Sequence, residues 1–315
     1  MMENMEKQCW ERGKSHLFKM DYDPTKPYIE KILSLISSDW NEFPPPASVD
    51  GIGTKGVYHW KRRSFRNATL DALAMNLNDM AVLRAKTAYL QDHIMIPKDD
   101  ERAILEIIKT LAEECKKRKI TINAGETSIH NNLSGLEISI SVQGDYIQKK
   151  KNKFMEKNCL IGIESNGLHS NGFTKIREIF GEEFLPEFIK PTLIYYDMLL
   201  GLNDKIEGMV NITGGAYSRI KRVLNKEDVL INRSSFLKPS KIFYEIYNRG
   251  MSEEEMYKTF NCGIGFILNV YKKDSGFVLS EINKSGFKSD IIGEIAAGNG
   301  NIRIESSFSN KEIIL

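Results

Sequence analysis

The sequence is poor in cysteine and has no long apolar run. The 315 residues include only four cysteines, and their spacing matches no metal-binding pair: Cys9, Cys115, Cys159 and Cys262. Scattered cysteines in a chain of this length do not suggest a disulfide framework, so we expect reduced thiols and a cytoplasmic location. No segment approaches the roughly 18 apolar residues of a membrane span, and the N-terminus "MMENMEKQCW" is too polar for a signal peptide.

The chain also lacks an excess of charge of either sign. Lys and Arg number 44 against 42 Asp and Glu, which gives a net charge of +2. This balance gives no reason to expect a nucleic acid or a membrane surface as a partner. Hydrophobic residues at 41% and charged residues at 27% are typical of a globular protein, and the length predicts one large or two medium domains.

Helix and strand periodicities alternate along the chain. Residues 27–37 and 99–115 carry apolar residues at helical spacing, while residues 136–142 alternate strictly as in a half-buried strand. Mixed order continues in the second half, where "TLIYYDMLLGL" is predicted to be a helix, and it predicts two α/β or α+β domains. The polar, basic segment "YIQKKKNKFMEKN" breaks the pattern. We interpret it as a connector, with a phosphate-binding patch as the alternative, and place a domain boundary between residues 150 and 151.

The stretch "VDGIGTK" combines an acid, two glycines and a lysine in one loop. Asp50 could hold a divalent cation, and Gly51 and Gly53 would let backbone N–H groups approach phosphate oxygens. Lys55 could add a point charge. A tight turn after a strand explains Asp-Gly equally well.

Two further stretches contain candidate metal ligands. In "DALAMNLNDM", Asn76 and Asp79 lie three residues apart and share one face of a helix, although a cap or turn is the alternative. In "NAGETSIH", directly after the short strand "ITI", Glu126 could present a hard oxygen ligand to Mg²⁺. A cap or turn formed by Thr127 or Ser128 explains that segment as well. His130 could act as a base or could be a histidine of a surface loop.

Two glycine-rich stretches are suited to anions. In "ESNGLHSNGFTKIREIF" two Ser-Asn-Gly tripeptides flank His169 and lead into a helix, whose N-terminus favours negative charge. "NITGGAYSRI" follows the same order of strand, glycines and helix, and it is not a Walker loop because no Gly-Lys-Ser follows. Two loop turns without any ligand would look similar.

Together these stretches resemble the successive motifs of one family. "VDGIGTK", "MNLNDM", "GET", "SNGLHSNG", "PTLIYYDMLL", "NITGGAYSRI", "FNCGIGFIL" and "IIGEI" are similar, in order, to the motifs of phosphoribosylformylglycinamidine cyclo-ligase, also called aminoimidazole ribonucleotide synthetase. The resemblance runs from about residue 48 to the C-terminus. "VDGIGTK" and "GLHSNG" with "ITGG" are its most specific parts.

The resemblance implies an α/β (α+β) two-domain ATP-binding synthetase fold. Residues 1–150 would form a nucleotide-binding domain that pairs with its copy into a dimeric β-barrel, and residues 151–315 a C-terminal α/β domain. The implied reaction of purine biosynthesis uses ATP and Mg²⁺ to activate the formamide oxygen of formylglycinamidine ribonucleotide before ring closure. Because an amide oxygen leaves poorly and phosphate leaves well, electrostatic stabilisation of phosphoryl transfer should dominate catalysis.

The resemblance also implies roles for individual residues. Asp50 and Asp79 would be catalytic carboxylates that bind the metal, with Glu126 as a further metal and nucleotide ligand. His169 is the titratable group on the substrate side that is suited to proton transfer near neutrality. The residues implied to line the nucleotide phosphates are Gly51, Gly53, Thr54, Lys55 and Asn78. The residues implied to face the substrate, besides His169, are Ser170, Asn171, Gly172, Thr213, Gly214 and Gly215.

The sequence departs from the family pattern in its first 47 residues, which contain only Gly13 and lack the usual glycine-rich loop. "AGETSIHNN" and "AVLRAKTAYLQDH" also differ from the family wording. Two alternatives therefore stay open. One is another enzyme of the superfamily, such as thiamine-monophosphate kinase or selenophosphate synthetase, although those use an Asp-rich first motif and Cys9 lacks flanking glycines. The other is a non-catalytic homologue that binds a nucleotide.

Overall fold

The computed structural model describes residues 45–233 and 235–315. The predicted helix at 27–37 and Cys9 lie outside the described residues. Within them the chain forms two β-sheets with associated helices, which confirms the mixed α/β class.

The first sheet has four strands in the order β1-β4-β2-β3. Strand β4 pairs antiparallel with both of its neighbours, whereas β2 and β3 run parallel because a helix crosses between them. The strands are β1 (Ala47–Gly51), β2 (Ala85–Ile96), β3 (Thr121–Ile129) and β4 (Glu137–Tyr146), and the helices are α1 (Gly56–Arg62), α2 (Phe65–Val82) and α3 (Glu101–Arg118).

One face of this sheet packs against the helices. Alternate residues of β4, namely Ile138, Ile140 and Val142, are fully buried, which confirms the strand predicted there. Helix α2 is buried along most of its length, as expected of a helix that packs against both domains. The predicted helix at 99–115 is α3, and the Asp100 carboxylate caps it by accepting from the Ala103 N–H at 3.0 Å.

The opposite, outer face of the first sheet is not covered by any helix of the described residues. Val49 on this face is 54% exposed, and Ser139 and Ser141 are half-buried. The sheet is open, with β1 and β3 as edges, so the described part of a single chain contains no closed barrel.

The second sheet has seven strands in the order β11-β10-β7-β9-β5-β8-β6. Its central strands are apolar and buried on both sides; all seven residues of β8 are buried. The strands are β5 (Cys159–Glu164), β6 (Gly208–Asn211), β7 (Glu227–Ile231), β8 (Ile264–Val270), β9 (Ser289–Ala297), β10 (Ile302–Glu305) and β11 (Glu312–Ile314). The helices are α4 (Phe173–Phe180), α5 (Tyr196–Gly201), α6 (Lys241–Asn248), α7 (Glu253–Thr259) and α8 (Ser275–Lys284).

The two sheets share a packed junction. One apolar cluster includes Ile140 from the first sheet and Ile161 from the second. The buried Arg84 guanidinium donates to the carbonyl oxygens of Asn203 at 3.0 Å and Ile206 at 2.9 Å. A charged side chain that bonds to carbonyls of the other domain fixes the relative position of the two domains.

The predicted helix over "TLIYYDMLLGL" is shorter than expected. Helix α5 begins only at Tyr196, since the Asn78 side chain binds the preceding backbone at Leu193 O (2.9 Å) and Tyr195 N (2.8 Å). These side-chain bonds replace the ones that a helix would make.

Three cysteines of the described residues, Cys115, Cys159 and Cys262, are buried free thiols. No helix in the part of the chain that the structure describes is long and apolar enough to span a membrane.

Candidate active site at the domain junction

Lys55 of the "VDGIGTK" loop is completely buried at the junction. Its ammonium group donates to Asp71 Oδ1 at 2.9 Å, to the His169 carbonyl at 2.8 Å and to the Lys190 carbonyl at 2.6 Å. An ammonium has three N–H donors, so all of them are used inside the protein. The predicted contact of Lys55 with a nucleotide phosphate would require one of these bonds to break.

Asp71 is the centre of this buried cluster. Its carboxylate also accepts from His59 Nε2 at 2.8 Å, Ser170 Oγ at 2.8 Å and the Thr192 N–H at 2.7 Å. Burial by itself raises the pKa of Asp71, but Lys55 and His59 outweigh it and hold the pKa well below its usual range. Asp71 therefore stays ionised and ties α2 to two segments of the second domain.

His169 is buried beside this cluster with φ at 59°. Within the described residues neither of its ring nitrogens has a hydrogen-bond partner. Burial, with a contribution from Lys55, lowers the pKa of His169 to about 3. The ring is therefore neutral near pH 7, and this structure does not support our expectation of a proton-transfer group that titrates near neutrality.

The neighbouring asparagines of the "SNGLHSNG" loop also carry unsatisfied polar atoms. Asn166 Oδ1 and Asn171 Nδ2 are buried and lack hydrogen-bond partners among the described residues. Buried polar atoms are nearly always satisfied, and a bound ligand is one way to satisfy them. The loop ends at Gly172, whose φ of 73° and close approach to the Phe260 ring leave no room for a Cβ.

The "VDGIGTK" loop and the start of α4 face each other. Thr54 Oγ1 lies 3.5 Å from Thr174 Oγ1, and the Lys55 ammonium lies 5.4 Å from the centre of the Phe173 ring. On the other side, Glu137 Oε1 accepts from the N–H groups of Ile52 at 3.0 Å and Gly53 at 3.3 Å. Glu137 thus holds the glycine loop, a role that the sequence did not reveal.

A second cluster contains the two predicted catalytic carboxylates. Asp50 lies on β1 and Asp79 on α2, and Asn76 links the two elements by donating to the Asp50 carbonyl at 3.1 Å. Asp79 Oδ1 accepts from Asn211 Nδ2 of β6 at 3.0 Å. The structure therefore brings Asp50 and Asp79 to the same part of the junction.

Arg219 belongs to this second cluster and was not predicted. It lies on the 3-10 helix Ala216–Val223, which follows Gly214 and Gly215, and it donates to Thr213 Oγ1. Burial lowers the pKa of Arg219, and Asp79 and Asp50 oppose that effect. Arg219 Nη2 lies 4.0 Å from Asp79 Oδ1. An arginine four residues after a Gly-Gly pair was the only available signal in the sequence.

Glu126 does not join the carboxylates. We expected it at the end of a short strand, but β3 continues to Ile129 and Glu126 lies within it. Glu126 pairs with His93, and His93 pairs with Ser139, so Glu126 lies in a row of residues on the outer face of the sheet. Asp50 pairs with Ile140, which faces inward, so the two carboxylates lie on opposite faces. Correspondingly, the described residues contain no group of three His, Cys, Asp or Glu side chains that could hold a metal ion.

Two family models match the chain. Residues 47–145 match the N-terminal domain of AIR synthase related protein, and residues 156–305 match its C-terminal domain. The chain belongs to the AIR synthase related family. The connector predicted around residue 150 lies between the two matched ranges.

Members of this family with similar sequences are named phosphoribosylformylglycinamidine cyclo-ligase. The enzyme from Clostridium perfringens (strain 13 / Type A) is 35% identical over 280 residues, which is 82% of this chain and 83% of the relative. The enzyme from Saccharolobus solfataricus is 31% identical over 260 residues, which is 80% of this chain and 79% of the relative.

Solved structures with much lower identity share the fold. Hydrogenase maturation protein HypE of E. coli superposes with a TM-score of 0.66 at 14% identity, covering 89% of this chain and 88% of HypE. PurL of T. maritima complexed with FGAR has a TM-score of 0.64 at 10% identity, covering 95% of this chain and 52% of PurL. Both show that the chain shares this overall fold.

Proposed function

We infer that the protein catalyses the ATP-dependent closure of formylglycinamidine ribonucleotide to aminoimidazole ribonucleotide, a ligase step of purine biosynthesis. The observation that carries this inference is the convergence of Asp50, Asp79 and the "SNGLHSNG" loop at one junction, in a chain 35% identical to a named cyclo-ligase.

The reaction needs a phosphoryl group on a poor leaving group. The formamide oxygen attacks the γ-phosphorus of ATP and ADP leaves. The internal amine nitrogen then attacks the activated carbon, and phosphate departs with the former formamide oxygen while the nitrogen loses its proton. Related folds with bound ATP, ADP and AMPPCP support the use of ATP.

The carboxylates of Asp50 and Asp79 fit Mg²⁺, since hard oxygen ligands are those that this ion prefers. A bound Mg²⁺ would neutralise phosphate charge as phosphoryl transfer proceeds. The protein itself would orient the nucleotide through Gly51, Gly53 and Thr54 and the substrate through the loop at 169–172, with Thr213 at the edge of the carboxylate cluster.

We also propose that the protein is a homodimer and resides in the cytoplasm. The uncovered outer face of the first sheet, with Val49 at 54% and Tyr89 at 48% exposure, supports pairing with a second copy into a closed barrel. Glu126 would then lie at the interface, where it could complete a site only with residues of that second copy. Light scattering that gives the mass of a single chain at micromolar concentration would refute the dimer.

The test of the function is ADP release from Mg-ATP by the purified protein, with and without formylglycinamidine ribonucleotide. We expect ADP only when both substrates are present, with one aminoimidazole product per ADP, detected as its aromatic amine. A folded protein that binds ATP but forms no such product would contradict the proposal and favour the non-catalytic homologue. ADP release in the absence of the ribonucleotide would indicate a different acceptor.

A further inference from the structure

Arg219 is a buried cation without a hydrogen-bonded anion. The residue is 6% exposed, and its hydrogen bond goes to the neutral hydroxyl of Thr213. The nearest carboxylate oxygen, Asp79 Oδ1, lies 4.0 Å from Arg219 Nη2 and instead accepts from Asn211. Within residues 45–233 and 235–315, therefore, no carboxylate accepts a hydrogen bond from this guanidinium.

This arrangement leaves donor capacity unused. A guanidinium carries five N–H donors in a planar fork, and burial without strong acceptors costs free energy. The fork matches the geometry of two oxygens on one phosphate group. Within the described part of the chain, no Arg219 nitrogen is among the fully buried atoms without a partner, so its unused donors reach open space at the junction, where an oxyanion would accept them.

The neighbouring carboxylates restrict the kind of anion. Asp79 Oδ1 lies 4.0 Å from the guanidinium, and Asn76 of the same helix links α2 to Asp50, so a bare anion would meet negative charge as well as one positive charge. A phosphate group that carries a divalent cation avoids this repulsion, since the carboxylates face the cation and the guanidinium faces the oxygens. The cluster thus has the charge pattern of a metal-phosphate site.

We propose that Arg219 is a phosphate-binding residue of the active site, and that its guanidinium binds oxygens of a phosphate group held beside Asp79. This proposal deepens the proposed function and rests on it. The phosphate group could belong to the nucleotide or to the ribose phosphate of the substrate, and both present the same oxyanion to the fork. The position of Arg219 on the 3-10 helix directly after Thr213 places it in the strand-glycine-helix segment already expected to bind an anion.

The test compares Arg219→Gln with Lys221→Gln, which removes an exposed positive charge from the same 3-10 helix. Calorimetric titration with Mg-ATP, Mg-ADP and formylglycinamidine ribonucleotide separates the two sources of phosphate. We expect Arg219→Gln to weaken one ligand about 10- to 100-fold through the loss of charge-assisted bonds, and Lys221→Gln to change every affinity by less than about twofold.

Each outcome has one meaning. Weaker binding of Mg-ATP with unchanged binding of Mg-ADP means that Arg219 binds the terminal phosphate. Weaker binding of both nucleotides means that it binds the phosphates that they share. Weaker binding of the ribonucleotide alone means that it binds the ribose phosphate. Unchanged affinities for all three ligands in a folded Arg219→Gln protein would overturn the proposal. Because titration needs no turnover, this failure differs from absent ADP release by the wild-type protein, which would refute the proposed function.

A second variant guards against loss of folding. Arg219→Lys keeps the charge but loses the fork, so it should fold and bind the affected ligand at least about fivefold more weakly. If Arg219→Gln does not fold and Arg219→Lys binds every ligand within twofold of wild type, the proposal is likewise overturned.

Discussion

Two buried cations, Lys55 and Arg219, lie at the junction of the domains and differ in how they are satisfied. Lys55 donates all three of its N–H groups to Asp71 and to carbonyls of the second domain. Arg219 bonds to a neutral hydroxyl and lies 4.0 Å from its nearest carboxylate oxygen. Burial is similar for both, so burial alone does not distinguish a structural cation from one that binds a ligand.

Counting the N–H donors that are accepted inside the protein separates a structural cation from one that binds a ligand. A cation whose donors are all accepted inside the protein contributes to the fold, whereas one with unused donors is available to a ligand. The sequence suggested the opposite assignment, because it pointed to Lys55 of "VDGIGTK" as a phosphate ligand, whereas within "NITGGAYSRI" it pointed to Thr213 and the glycines and not to Arg219.

The largest expected effect is on stability at Lys55. Lys55→Met should lower the free energy of unfolding by about 3–5 kcal/mol, because it leaves Asp71 buried without its cation. Arg219→Met should lower it by less than about 1 kcal/mol, since no carboxylate loses a hydrogen bond there. Urea unfolding measures both values, and equal losses for the two variants would break the comparison.

A double variant sharpens this result. If the loss in Lys55→Met comes from the uncompensated charge of Asp71, then adding Asp71→Asn should recover about 1–3 kcal/mol relative to the sum of the single losses. Asp145→Asn, which changes an exposed aspartate, serves as the control and should be additive with Lys55→Met. Additivity in the Asp71 double variant as well would show that the two side chains are not coupled.

The next effect concerns the pH dependence of stability through His169. Its pKa is about 3 in the folded chain against an ordinary value of 6.5 for an exposed histidine, so below pH 6.5 the unfolded chain binds a proton that the folded chain does not. Stability therefore falls as the pH is lowered from 6.5 towards 3, by roughly 3 kcal/mol at pH 4.5 from this group alone. His169→Gln should remove that loss, and the surface variant His130→Gln should keep it. If wild type and His169→Gln lose the same free energy of unfolding between pH 7.5 and 4.5, then the buried ring is not the cause of the loss.

The smallest effect is expected at Ser170, whose hydroxyl donates to Asp71 at 2.8 Å. Ser170→Ala should cost about 1–2 kcal/mol, because a buried charged acceptor loses one of several donors. Ser134→Ala, at an exposed position, should cost almost nothing in the same unfolding experiment. An unchanged free energy of unfolding in Ser170→Ala would mean that Asp71 has enough hydrogen-bond donors without the substrate-side loop.

Periodicity predicted much of the fold because local patterns determine it. The alternation at Ile138 and Ile140 and the capped helix α3 follow from residues close together in sequence. Helix α5 was predicted too long, since the bonds that end it come from Asn78, more than a hundred residues earlier. Tertiary contacts of this kind leave no local signal.

The candidate site was only partly predictable for the same reason. Motifs identified Asp50 and Asp79, which the fold brings together, but motif membership could not reveal that Glu126 lies on the opposite face of the sheet. Strand register decides that question, and register depends on pairing between distant segments. Glu137 lies in ordinary surroundings in the sequence, and Arg219 was not singled out within "NITGGAYSRI"; both acquire their positions only through the junction.

The measurement that most directly tests the assignment of chemistry to this junction is substrate-dependent ADP release by Asp79→Asn. Asp79 is 23% exposed and accepts one hydrogen bond from Asn211, so the variant should fold with nearly unchanged stability. We expect its turnover to fall by about 100-fold or more, because the carboxylate proposed to bind the metal is lost, while Asp145→Asn keeps wild-type turnover. Turnover within a few fold of wild type in a folded Asp79→Asn protein would contradict the account.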